Sequence, residues 1–140
     1  MIVDASVVLM AFFPDEAGQP QAQALIRAHA LGSLELRGPD LLAHEVTNAV
    51  LQATNRQRIT RETAHEILST FENLMILLQS TSPTKVLAMA QQFNRSAYDA
   101  AYLTLAENLG TQLITGDRRF YNAVSAQLPW VLWIGDYQTP

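Results

Sequence analysis

Four carboxylates stand out by their positions: Asp4, Glu45, Asp99 and Asp117. Asp4 ends the apolar run Met1-Ile2-Val3, and Asp117 follows Leu113-Ile114-Thr115-Gly116. Each closes a strand-like segment just before a helical one, where an aspartate also serves as a helix N-cap, so both roles stay open. At about 100° per residue, Glu45 lies at the edge of an apolar stripe, between Leu41 and Ala49, with Asn48 and Gln52 beside it. Asp99 falls among Tyr102, Leu103 and Ala106, while Thr104, Glu107 and Asn108 take the wet side. A carboxylate in an apolar face is costly unless paired. The competing reading of Asp99 is a capping box, Ser96-Ala97-Tyr98-Asp99, with the carboxylate returning to the Ser96 amide. If the four acids converge they repel one another, and a divalent cation removes that conflict. All-oxygen ligation suits Mg²⁺ or Mn²⁺, and such a site activates water and neutralises a phosphoryl group.

Alternating strand-like and helical segments predict an α/β fold with a mostly parallel sheet. Strands are expected at Met1–Ala5, Leu34–Gly38, Met75–Leu78, Leu113–Thr115 and Val131–Ile134. Met75–Leu78, apolar throughout, reads as buried on both faces. Helices are expected from Ser6 to Phe13, then to about Leu31, from Leu41 to about Arg56 with Asp40 as N-cap, and from Thr60 to about Glu72. Three more run from Ser82-Pro83 to about Phe93, from Ser96 to Leu109, and from Arg118 to Gln127. Residues 14–20 read as a loop and the last residues as a fraying end. In an open parallel sheet, ligands bind beyond the carboxyl ends of the strands, where Asp4 and Asp117 sit.

The chain has 140 residues, enough for one domain with its own core, here residues 1–140. Hydrophobic residues make up 49% and charged residues 16%, a globular profile. The apolar start has no basic lead-in, so no signal peptide is expected, and no apolar run approaches the ~20 residues of a membrane span. With no cysteine, disulfides, thiolate zinc sites and cysteine nucleophiles are excluded. A cytoplasmic protein is expected. The net charge of −4 argues against nonspecific polyanion binding, though not against a metal-bridged one. His29, His44 and His65 lack zinc-enzyme spacing and read as surface or helix-packing residues. Other phosphate-handling α/β folds fit poorly: a haloacid-dehalogenase-type enzyme wants Asp where Ser6 stands, and a receiver domain wants Asp after the third strand.

Four short pieces, in order, resemble PIN-domain ribonucleases and, within them, VapC-type toxins of toxin–antitoxin pairs. They are Ile2-Val3-Asp4-Ala5-Ser6, Glu45 with Asn48, Tyr98-Asp99-Ala100-Ala101-Tyr102, and Thr115-Gly116-Asp117-Arg118-Arg119-Phe120. The resemblance implies a three-layer α/β/α sandwich around a parallel sheet of four to five strands, and Mg²⁺- or Mn²⁺-dependent endonucleolytic cleavage of RNA. It implies Asp4, Asp99 and Asp117 as direct or water-mediated ligands. Glu45 would hold a second ion or orient the attacking water, and Ser6, Asn48 and Thr115 would be supporting polar groups. It also implies a homodimer restrained by a cognate antitoxin. Arg56, Arg58, Arg61, Arg118 and Arg119 are weaker candidates for phosphate contacts. Ile59, Ala64, Ile67, Leu68 and Phe71 form an apolar stripe suited to a partner or to the core. The competing reading is a non-catalytic PIN-like module that uses its acids to dock a basic partner.

Overall fold

The computed structural model describes residues 1–14 and 16–138. Asp15, within the expected loop, and the terminal Thr139 and Pro140 lie outside the described residues. Five short strands form one parallel sheet: β1 (Ile2–Val3), β2 (Arg37–Pro39), β3 (Leu77–Gln79), β4 (Leu113–Thr115) and β5 (Val131–Trp133). Parallel neighbours need crossover connections, and helices supply them. These are α1 (Ala5–Phe12), α2 (Gln19–Ala30), α3 (Leu41–Asn55), α4 (Arg61–Asn73), α5 (Pro83–Phe93), α6 (Ala97–Leu109) and α7 (Arg118–Val124). A 3₁₀ turn, Ile134–Asp136, follows β5. The α/β class and parallel sheet expected from the sequence are therefore present.

The strand order is β3-β2-β1-β4-β5. The chain builds outward from β1 in one direction through β2 and β3, then returns to the other side of β1 as β4 and β5. The reversal falls between β1 and β4, paired at Ile2 with Leu113 and Val3 with Ile114. A crevice opens at the strand ends wherever an open sheet reverses in this way. Helix α6 lies on β1, β2 and β4 and carries α5 on its back, while α1 lies against β4 and α3 against β2, with α2 on α1 and α4 on α3. Ile2, Val3, Val7, Leu25, Leu36, Leu42, Leu103 and Leu113 are fully enclosed in the core between these layers.

Local chemistry sets the helix ends. Thr60 caps α4 by accepting the Thr63 amide, and Ser96 caps α6 by accepting the Asp99 amide, each at 3.1 Å. Gly110 closes α6 in the left-handed region, where glycine carries no steric penalty. Asp40 occupies the N-cap position of α3 without a side-chain capping bond, and its amide instead extends the sheet to the Gln79 carbonyl.

Three expectations need correction. The second strand begins at Arg37 rather than Leu34, because His29 takes the neighbouring backbone: its Nδ1 accepts the Leu36 amide at 3.1 Å. Its Nε2 lies 2.8 Å from the Leu74 carbonyl, so His29 is the packing histidine the sequence suggested. The third strand is an edge strand rather than one buried on both faces: Leu77 is 47% exposed, and Met75 is a left-handed turn residue outside it. Thr104 is buried rather than wet, because α5 covers the outer side of α6.

Candidate active site

Asp4 leaves β1 at the sheet reversal and caps α1, its Oδ1 accepting the Val7 amide at 3.3 Å. The Ser6 hydroxyl donates to Oδ1 and the Thr115 hydroxyl to Oδ2. Both hydroxyls are themselves held by the loop after β4: Ser6 Oγ accepts the Gly116 amide at 2.8 Å, and Thr115 Oγ1 the Asp117 amide at 3.0 Å. Asp4 is buried, 6% exposed. Burial pushes its carboxyl up to about 6, against the pull of the three donors, and the charge of Asp117 adds to the rise. The environment thus holds the Asp4 carboxyl in place while penalising its charge.

Asp117 is exposed and caps α7, its Oδ1 accepting the Phe120 amide at 3.1 Å. Glu45 is half-buried on α3, and the Tyr102 hydroxyl donates to its Oε2 at 2.6 Å. Burial raises the Glu45 carboxyl above the usual glutamate range, and the charge of Asp99 raises it further. Burial and the Glu45 carboxylate together keep the Tyr102 phenol protonated.

Asp99 is not where the sequence reading put it. Its side chain is 27% exposed, and its Oδ2 accepts from Arg95 Nε at 3.2 Å and Nη2 at 3.0 Å. Ser96 takes the Asp99 amide as a capping box requires, but the carboxylate turns to Arg95 rather than back to Ser96. Tyr102, Leu103 and Ala106 are buried as expected. The buried acid is Asp4, whose apolar strand hides it more completely than the helical face hides Asp99.

The charge of Asp117 bears on Asp4, and that of Asp99 on Glu45. The Tyr102 phenol, bonded to Glu45, also feels the charge of Asp4. Among the described residues, no three His, Cys, Asp or Glu side chains stand close enough to hold one ion. Asn48 is exposed on α3 and lines a shallow hollow with Ala43, His44, Thr47 and Leu51; among the described residues it makes no hydrogen bond to the acids. The donor chemistry nevertheless fits a hard divalent cation: Asp4 is a buried carboxylate with neutral donors, a like charge nearby and no ion pair among the described residues.

The sequence reading assigned no role to Tyr102 or Arg95. The (i, i+4) spacing of Arg95 and Asp99 on a helix entry was a usable signal. The contact of Tyr102 with Glu45 joins residues 57 apart and leaves no local trace. Of the arginines weighed for phosphate contact, Arg58 lies over the Phe13 ring and Arg118 over the Trp133 ring. Ile59, Ala64, Ile67 and Leu68 pack with Phe13, Val50 and Ala53, so that stripe serves the contact of α3 with α4.

Comparison with known protein families matches residues 1–125 to the PIN domain. Ribonuclease VapC3 of Pyrobaculum aerophilum is 31% identical over 123 residues, covering 85% of this chain and 90% of the relative. VapC ribonuclease Mb0985 of Mycobacterium bovis is 30% identical over 129 residues, covering 92% of this chain and 94% of the relative. Among solved structures, that of PAE2754 from Pyrobaculum aerophilum superposes with a TM-score of 0.72 at 22% identity, covering 95% of this chain and 89% of the other. That last likeness is one of fold.

Proposed function

The chain belongs to the PIN-domain family, and from that premise we propose that it is an endoribonuclease, the toxin of a type II toxin–antitoxin pair. The observation that carries the reading is Asp4: a buried carboxylate at the sheet reversal, held by three neutral donors, with Asp117 beside it and no ion pair among the described residues. The names of its relatives, VapC ribonucleases, support the reaction class.

Asp4, Asp99 and Asp117 are the proposed ligands of Mg²⁺ or Mn²⁺, directly or through water, with Glu45 completing the catalytic quartet. When bound, the ion would supply an activated water and neutralise charge on the scissile phosphate. Ser6 and Thr115 fix both oxygens of Asp4, and Tyr102 fixes Glu45. Arg95 neutralises one oxygen of Asp99 and leaves the other open. Asn48 is retained as a supporting group on the resemblance alone. RNA is the proposed substrate, a cognate antitoxin and a second copy of the chain the proposed partners, and the cytoplasm the proposed location. No helix among the described residues is long and apolar enough to cross a membrane.

RNA cleavage assayed with Mg²⁺ or Mn²⁺, then with a chelator, tests the reading. Cutting should require the ion and fall at least a hundredfold in Asp4→Asn and Asp99→Asn. Cutting that survives chelation would sink the mechanism. The non-catalytic reading draws on one observation, that no three acids stand ready to share an ion. Absence of Mn²⁺ binding in titration calorimetry would favour it.

A further inference from the structure

A second group of side chains stands beside the acids, where β4 and β5 end. Trp133 pairs in register with Thr115, two residues before Asp117. The Arg118 guanidinium carbon lies 3.7 Å from the centre of a Trp133 ring, a separation that only a face-on approach allows. Tyr121, one turn further along α7, sets its ring 6.0 Å from that of Trp133, tilted by 48°. A Cβ on Gly135 would come within 2.3 Å of Trp133 Nε1, so the indole packs directly against the backbone there. A cleft of about 460 Å³ reaches Tyr121, Trp133 and Tyr137 from the amino ends of the strands, where Met1 and Gln112 line it too; Arg118 and Asp117 lie outside it.

This is unlike an arginine reserved for phosphate. Such a side chain reaches into solvent, whereas Arg118 is exposed yet holds its guanidinium carbon over an indole, unpaired with any carboxylate among the described residues. A planar cation backed by an aromatic ring offers its outer face for stacking, and unstacked RNA bases are recognised on such faces. Arg118 also adjoins Asp117 in sequence, which places the stack next to the proposed ligands.

We propose that Arg118, Trp133 and Tyr121 form a nucleobase-binding subsite, on which one base of single-stranded RNA, adjacent to the scissile phosphate, stacks. The subsite rests on the ribonuclease reading and gives it a determinant of where the RNA is cut. It predicts preference for unpaired RNA, since a base within a helix cannot present its face.

The test is a coupling measurement. Cleavage efficiency is compared for the native chain and Arg118→Lys, on an RNA octamer and on copies made abasic at each position flanking the mapped cut. Lysine keeps the charge and loses the plane. Arg118→Lys should lower kcat/KM about tenfold or more on intact RNA and leave it nearly unchanged on one abasic copy. An equal loss on intact and abasic RNA, or no loss, overturns the subsite and leaves the nuclease standing. No cutting by the native chain with either ion overturns both. A second readout is independent of turnover. In Trp130→Phe, Trp133 is the sole tryptophan of the two in the chain, and its emission should be quenched when the octamer binds, as followed by anisotropy. Binding without quenching also overturns the subsite.

Discussion

Asp4 carries a heavy electrostatic load, a buried carboxylate with a like charge nearby. In the folded chain its carboxyl titrates near 6, against 3.8 in the unfolded chain. Between those values the folded state holds the extra proton, so stability present below about pH 4 is lost as pH rises to about 6 and stays lost above. A difference of this size corresponds to about 3 kcal/mol. The metal-free protein should therefore melt at a lower temperature at pH 7 than at pH 5, and Asp4→Asn should flatten that slope. Thermal denaturation across the range checks both. Millimolar Mn²⁺ should raise the melting temperature of the native chain at pH 7 by several degrees and that of Asp4→Asn far less, because binding to the folded state stabilises it by mass action. Asp4 and Asp117 were visible in the sequence as acids ending apolar strands, and that context survives folding. The placing of Asp99 on a buried face did not, because a helical wheel knows nothing of Arg95, whose guanidinium draws the carboxylate towards the surface.

Between β4 and α7, Gly116 shows how elements are spaced to build the site. A Cβ there would stand 2.5 Å from Met10 Cε, the movable tip of a flexible side chain, and 3.1 Å from Ser6 Oγ, so α1 packs closely against the loop. Gly116→Ala should cost roughly 1 kcal/mol in urea denaturation, at the low end for overpacking because the Met10 tip can move aside, and it should reduce cleavage further than that loss explains, because Ser6 Oγ must give way beside Asp4. On the other side of the fold, His29 ties α2 to the end of α4 through the Leu74 carbonyl and to the approach of β2 through the Leu36 amide. His29→Ala leaves these groups unpaired and should cost roughly 1–3 kcal/mol with little change in cleavage per folded molecule. Helix existence and the caps at Thr60 and Ser96 were legible, since capping is local chemistry. The strand limits were not: β2 starts late because of a histidine from another helix, and the position of β3 at the sheet edge depends on which strand it neighbours. Neither fact is written in the segment concerned.

At the scale of the whole molecule, alternation of strands and helices was enough to indicate a parallel sheet, but the order β3-β2-β1-β4-β5 carries more. It makes the first strand the centre and brings the fourth to it from far along the chain. The Thr115 hydroxyl meets Asp4 across 111 residues. Contacts so distant in sequence form slowly and late, because the entropy of closing the loop comes before any gain. Synthesis runs from the same end as the sheet's centre. While the polypeptide is being made, Asp4 emerges well before β4 and waits, without Ser6 anchored by Gly116 and without Thr115, until β4 has left the ribosome. A chain stopped after Gly110 should show no cooperative unfolding and cut no RNA, and cleavage by that fragment would refute the dependence. This ordering makes the proposed activity a late event of synthesis: a polypeptide still short of β4 carries its first acid without the groups that hold it, and is expected to be inert.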